Sequence, residues 1–298
     1  MTDSSTTSKP ASPQTPQLIS CPDEMRIAVQ EHRAQGRTVG VVPTMGALHE
    51  GHLSLVDAAR RECDVVVTTI FVNPTQFGEG EDLDNYPRTL EADLTALAAR
   101  GVELVFAPAA GGMYSADHDT TVTVGSLASE FEGRCRPEHF PGVATIVLKL
   151  FQIVPADFAF FGQKDYQQSL VVRRMVADLN VPIEIRVCPT IREDDGLAKS
   201  SRNVYLSAEE RQRATCIWRA FQKAEELLTA GTSTTVDLIQ AMRDVIRAAG
   251  VTHIDYVAIT TCDSLVPVDK IDAPVVVLVA IRIGETRLID NHLLRPPA

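Results

Sequence analysis

From Arg37 onward the chain alternates short β-branched apolar runs with amphipathic stretches, and this alternation constrains the fold more than any other feature. Thr38–Pro43 (TVGVVP) reads as a buried strand. Gly51–Cys63 follows as a helix with Leu53, Val56 and Ala59/Arg60 at helical spacing. Val65–Val72 is a second strand, and Pro87–Arg100 a helix that Gly101 stops. Val102–Ala107 and Phe158–Phe161 are further strands, then comes a helix from about Tyr166 to Leu179, and Ile183–Cys188 closes the set. Strands separated by helices return to the same edge and pair in parallel. The predicted fold class is therefore α/β, with an open Rossmann-like parallel sheet.

After about residue 190 the texture changes. Helical patterns at about Ala208–Ala230 and Thr235–Ala249 precede strand-like runs at His253–Ile259, Val275–Ile283 and Thr286–Ile289. The 298 residues suit about two domains at roughly 150 residues each. The expected division is a disordered tail at 1–17, a Rossmann-like nucleotide-binding domain at 18–190 and a smaller α+β domain at 191–298. The tail is rich in Ser, Thr and Pro and has no apolar stretch that would make it a secretory signal.

The longest apolar run, Val275–Ile281, is far below the roughly 20 residues of a membrane span. A net charge of −11 speaks against counterion-driven binding to nucleic acid or to anionic membrane. Six widely spaced cysteines with no C-x-x-C pair read as free thiols in a reducing cytoplasm.

Four segments carry candidate chemistry. Pro43-Thr-Met-Gly-Ala-Leu-His49-Glu-Gly51-His52 lies between the first strand and the first helix, where ligands bind in an open parallel sheet. Gly46 and Gly51 permit close backbone approach, the free N–H groups of the helix start favour phosphate, and His49 and His52 would donate to it. A helix N-terminus also lowers an imidazole's pKa. The H-x-x-H spacing is not that of a helical zinc site, and no G-x-x-x-x-G-K-[ST] loop is present.

Phe160-Phe-Gly162-Gln-Lys164-Asp165 ends another strand; Lys164 suits phosphate, and Asp165 either caps a helix or holds a water on Mg²⁺. Lys199-Ser200-Ser201-Arg202-Asn203 offers a polyphosphate several donors, though by itself it equally reads as a turn. Phe71-Val-Asn73-Pro74-Thr-Gln76-Phe77 sets neutral polar groups beside aromatics, and the acidic Gly78–Tyr86 stretch beyond it is either a gate or a solvated loop.

Together with YPR (86–88), HFPGV (139–143), PTIRE (189–193), DGLAKSSRN (195–203) and RLIDN (287–291), these segments resemble the pantothenate synthetase (pantoate–β-alanine ligase) family of the H-x-G-H nucleotidyltransferase superfamily. The resemblance implies two steps in coenzyme A precursor synthesis. ATP and (R)-pantoate give pantoyl adenylate and pyrophosphate; β-alanine then displaces AMP. It also implies ATP contacts from Met45, Gly46, Ala47, Leu48, His49, Glu50, Gly51 and His52, with His52 in the general-acid position. Gly162, Gln163, Lys164, Asp165, Lys199, Ser200, Ser201 and Arg202 would complete that site, with Ile191 against the adenine. Of these, His52, His49, Lys164 and Arg202 are the expected catalytic groups.

Gln76 would contact pantoate and β-alanine, Gln168 would contact pantoate, and Asn73 would line the substrate site. The resemblance further implies Mg²⁺ accompanying ATP without a dedicated protein metal site, a homodimer, and a C-terminal domain acting as a lid. Gln163 and Lys199 stand where relatives commonly carry Glu and Met or Leu. Competing readings are another adenylyl- or cytidylyltransferase of the superfamily, and a nucleotide-binding regulator without activity. The SSRN and FVNPTQF segments argue against the first, and the retained His, Lys and Arg groups against the second.

Overall fold

The computed structural model describes residues 15–296. Strand β1 (Gln17–Ile19) and helix α1 (Pro22–Ala34) precede β2 (Val39–Thr44), α2 (Glu50–Glu62), β3 (Val65–Ile70), α3 (Leu90–Ala99) and β4 (Leu104–Phe106). One-turn helices α4 (Ala110–Met113) and α5 (Glu132–Cys135) lead to α6 (His139–Ile153), β5 (Phe158–Gly162), α7 (Tyr166–Asp178) and β6 (Glu184–Cys188). Helices α8 (Ala208–Ala214), α9 (Cys216–Thr229) and α10 (Thr235–Ala248) are followed by β7 (His253–Thr261), β8 (Val275–Ile283) and β9 (Thr286–Leu294).

The first six strands form one parallel sheet in the order β1-β4-β3-β2-β5-β6, the open α/β sheet expected. Its strands are apolar throughout because both faces are covered. Val39, Val41, Val65, Val67, Leu104, Phe106, Ala159 and Phe161 face the layer of α1, α6 and α7. Val42, Val66, Val105 and Phe160 face α2 and α3.

The last three strands form an antiparallel sheet, β7-β8-β9, and β8 is buried on both faces. Val275, Val277, Val279, Ile281 and Ile283 pack with α9 and α10. The alternate residues Val276, Leu278 and Ala280 join the core that holds α6 and α7. The period of two along β8 therefore divides one continuous apolar run between two cores.

Several elements differ from the sequence expectation. Residues 1–14 of the expected tail lie outside the described residues, but Gln17 already pairs with Leu104 in β1. Helices α1 and α6 have no counterpart in the sequence expectation. The single helix expected at 208–230 is divided at Thr215 into α8 and α9. Strand β9 runs on to Leu294 rather than ending at Ile289.

Candidate active site

Strands β3, β2, β5 and β6 stand side by side and run parallel, so their carboxyl ends open on one edge. The order of strands reverses between β2 and β5, the position of the ligand crevice in such sheets. Segments 45–49, 71–77, 163–165 and 189–203, found separately in the sequence, leave from that edge after β2, β3, β5 and β6. A cavity of about 450 Å³ opens there. Met45, Gln76, Lys164, Asp165, Gln168, Ser200 and Arg202 line it, and Asp290 and Asn291 of β9 also contribute to its wall.

His49 and His52 do not line the cavity; their rings are 4.1 Å apart and lie within the influence of Lys164 and Asp165, which do line it. The two rings form the capping box of α2. His49 Nδ1 accepts from Gly51 N at 3.1 Å, and His52 Nδ1 accepts from His49 N at 3.4 Å. Both protons must then sit on Nε2, which leaves each ring a directed N–H donor. Burial, with Lys164 acting next, pushes the His49 pKa down to about 4, and burial with His49 pushes that of His52 down to about 3. Both rings are neutral at pH 7. Gly51 is required by the His49 ring, whose Cε1 would lie 2.7 Å from an added Cβ.

The expectation of free N–H groups at this turn is corrected by the geometry. Gly46 N is bound to Thr44 Oγ1, Ala47 N and Leu48 N to Asp93, and His49 N and Gly51 N to the imidazoles. These five amides are already paired, which leaves the imidazole Nε2–H groups as the prominent donors of this turn. Glu50 is also placed elsewhere, with its carboxylate 3.0 Å from Arg100.

Asp165 makes no side-chain capping bond. Burial works to raise its pKa, but Lys164 and Arg202 overcome this and hold it below the usual range. The Lys199 ammonium lies 3.0 Å from Glu193, and Lys199 N binds Ile191 O in the turn that connects them. Gln163 Nε2 reaches Asn291 Oδ1 at 3.4 Å. Asn73 is 1% exposed and does not line the cavity. Its amide donates to Gln76 Oε1 and Gly142 O, and its oxygen accepts from Thr75 and Tyr114, so it orients the 73–76 turn.

The acidic segment 78–86 closes against the 200–205 turn. Asp82 forms a bidentate pair with Arg202 (3.0 and 2.8 Å), Ser201 meets Tyr86, and Tyr205 donates to Asn85 O. From the other side Arg136 binds Glu81 and the carbonyl of Gln76. His139 donates from Nδ1 to the same carbonyl at 3.0 Å. Burial, and Arg136 beside it, push the His139 pKa down to about 4.

The sequence reading assigned no role to Glu132, Arg136, His139, Asp93 or Asn291. HFPGV and RLIDN marked two of these places. Gly142 lets α6 rest on the 74–76 turn, since an added Cβ would lie 2.3 Å from Thr75 O. In β9, Asp290 holds Arg192 through two hydrogen bonds (2.6 and 3.0 Å). Asn291 donates to the carbonyls of Gln163 and Lys164 (2.9 and 2.8 Å), fixing the loop that presents Lys164.

The sequence model of the pantoate-beta-alanine ligase family matches residues 17–293, which contain every segment described above. The chain belongs to the pantoate-beta-alanine ligase family. It is 50% identical over 271 residues to the pantothenate synthetase of Pelotomaculum thermopropionicum, covering 91% of this chain and 96% of the relative. Identity to the Roseiflexus castenholzii pantothenate synthetase is 54% over 256 residues, covering 86% and 92%.

The crystal structure of the Thermus thermophilus pantothenate synthetase superposes with a TM-score of 0.90 at 47% identity, covering 94% of this chain and all of that one. A pantoate-beta-alanine ligase from Francisella tularensis, complexed with beta-gamma ATP and beta-alanine, superposes with a TM-score of 0.79 at 33% identity, over 93% and 97%.

Proposed function

We propose that the chain joins (R)-pantoate to β-alanine by way of a pantoyl adenylate, releasing pyrophosphate and then AMP. ATP-dependent ligation of these two substrates is the family's reaction; the intermediate and the residue roles are the substance of the proposal. The observation that carries it is the convergence of the His49/His52 turn, Lys164 and the 199–202 segment at the β2/β5 crevice, beside the Gln76 and Gln168 amides.

In the first step a pantoate oxygen forms a bond to the α-phosphorus of ATP, and the bond to pyrophosphate breaks. Two anions are brought together, so fixed donors at the phosphates lower the barrier more than proton transfer does. His49 and His52 supply neutral Nε2–H groups, and Lys164, Arg202, Ser200 and Ser201 supply charge and hydroxyl donors. Lys199 adds a further cation beside Glu193. Gly162 ends β5 and Ile191 follows β6 at the same sheet edge, and both are assigned to the ATP site with Lys164 and the 199–202 segment. In the second step the β-alanine amine attacks the acyl carbon and AMP leaves with the electron pair; Gln76 and Gln168 orient the acids, and exclusion of water protects the mixed anhydride.

Among the described residues no group of three or more His, Cys, Asp or Glu side chains is arranged to hold a metal. The site suits a Mg²⁺ that arrives on the polyphosphate and keeps most of its water, with Asp165 able to accept from one of those waters. Bound there, Mg²⁺ would neutralise phosphate charge.

The two-domain division, the closing of residues 191–298 over ATP, a homodimer and a cytoplasmic location complete the proposal. The described cysteines are all free. No helix among the described residues is long and apolar enough to cross a membrane. Edge strand β1 and helix α1 expose Leu18 and Ile27, apolar surface that a second copy would cover.

The purified chain is expected to release pyrophosphate from ATP only with pantoate and to form AMP only with β-alanine. ATP consumption with a phosphorylated acceptor in place of pantoate would instead favour the transferase reading.

Asp82 holds the Arg202 guanidinium in the bidentate geometry a phosphate would take. Asp82→Ala is expected to tighten binding of a non-hydrolysable ATP analogue about tenfold, a change of about 1.4 kcal/mol. Calorimetric titration checks this, and unchanged or weaker binding would remove Asp82 as a competitor for Arg202.

A further inference from the structure

We propose that Asp93 is a positioning residue for adenylation, holding the 46–48 turn in the form that aims His49 and His52. Asp93 lies on α3, outside every motif that marks the site in the sequence. It is 2% exposed and is absent from the lining of the 450 Å³ cavity. Its carboxylate reaches the turn from behind, where Ala47 N donates to Oδ2 at 3.0 Å and Leu48 N to Oδ1 at 2.8 Å. Thr89, at the start of α3, donates its hydroxyl to Oδ1 at 3.2 Å.

The backbone needs this support. Gly46 and Ala47 both have positive φ, +82° and +49°. Alanine in the left-handed region costs about 1–2 kcal/mol, and such a residue persists only where its surroundings over-determine it. Successive amides in a turn of this kind form a concavity that binds anions. In this chain the anion is supplied from within. Asp93 fills the concavity on the side away from the cavity, fixes the peptide planes of 47 and 48, and so sets the start of α2 from which both imidazoles project.

The inference rests on the adenylating reading of the site, and the test separates the two. Wild type and Asp93→Ala are compared for pantoate-dependent pyrophosphate release and, separately, for AMP release from added pantoyl adenylate and β-alanine. Asp93→Ala is expected to lower the first rate about 10- to 100-fold, the range for displaced catalytic groups. The second rate should stay within about twofold, since it does not need the turn to be aimed at the polyphosphate. Formate, which can enter the vacated concavity, is expected to restore the first rate severalfold in Asp93→Ala and to leave wild type unchanged.

Asp93→Asn keeps one oxygen acceptor for two amides and should fall between the two. It carries the same comparison if Asp93→Ala does not fold. Wild-type adenylation in Asp93→Ala, or equal loss in both half-reactions with no formate effect, would overturn the proposal. If wild type itself releases no pyrophosphate with pantoate, the adenylating reading fails. Hydrogen exchange at the Ala47 and Leu48 amides then decides the Asp93 role: it should be faster in Asp93→Ala and slowed again by formate.

Discussion

Replacing His52 with alanine is expected to slow pantoate-dependent pyrophosphate release by about 10²-fold or more, the scale of one preorganised donor at developing charge. Its Nδ1 is committed to the His49 amide, so the donor is Nε2–H, already oriented before ATP arrives. Burial and the neighbouring His49 push its pKa down to about 3, so the ring is neutral at pH 7 and the role proposed for it is N–H donation.

This sets the pH dependence. An imidazole whose pKa is depressed from 6.5 stays neutral until pH falls through the folded value, here about 4 for His49 and about 3 for His52. Between pH 6 and 8 the rate of the free enzyme should show no ionisation from either ring. His52→Gln keeps an N–H donor and should lose less than His52→Ala. Single-turnover rates across pH check both points. Unchanged turnover in His52→Ala, or a wild-type ionisation near 6.5 that His52→Gln abolishes, would sink the donor role.

The second large effect is on stability. Arg287→Met is expected to destabilise the fold by about 3–5 kcal/mol, because it strips a buried carboxylate of its hydrogen-bonded cation and leaves only Arg136, 3.8 Å away, to balance it. Arg287 on β9 donates to both oxygens of Glu132 on α5 (2.7 and 2.6 Å) and to Asp255 on β7 (2.6 Å). Tyr256 also donates to Glu132, at 2.6 Å. Burial alone would raise the Glu132 pKa, but the Arg287 pair more than reverses it and keeps the carboxyl ionised. Burial and the adjoining Glu132 carboxylate push the Tyr256 hydroxyl far up, so it stays a donor.

Because the pair is a buried contact between helix α5 and the antiparallel sheet, restoring charge balance matters more than restoring the contact. The double variant Glu132→Gln, Arg287→Met should recover most of the loss in urea denaturation. A loss below about 1 kcal/mol in the single variant would mean that the pair is solvated and weak.

What the sequence disclosed and what it concealed have physical reasons. Strands β2 to β5 were legible because they are covered on both faces and therefore uniformly apolar. Helix α6 was not, since Pro141-Gly142 reads as a turn; in the fold Pro141 occupies the first helical turn, where no N–H is missed, and Gly142 answers the close approach of the 74–76 turn. Helix α1 has only Met25 and Val29 fully buried, too sparse a stripe to announce itself. The far half of β9 was lost because Asp290 and Asn291, buried and polar, interrupt the apolar pattern at the point where they hold Arg192 and the Lys164 loop.

At the site, the histidines, Lys164 and the 199–202 donors were recognisable by chemical type. Asp93 was not, because a carboxylate that serves the backbone of a distant turn has the same local signature as any acidic residue early in a helix.

The division of β8 between two cores bears on how the chain comes into being. Residues 275–283 are synthesised after the whole parallel sheet, yet Val276, Leu278 and Ala280 complete the core to which α6 and α7 belong. Domains commonly fold in order of synthesis, first half first. Here the earlier half emerges with an apolar face that β8 has yet to cover, so its packing is completed only after β8 is made, and loss of β8 is expected to damage both halves at once.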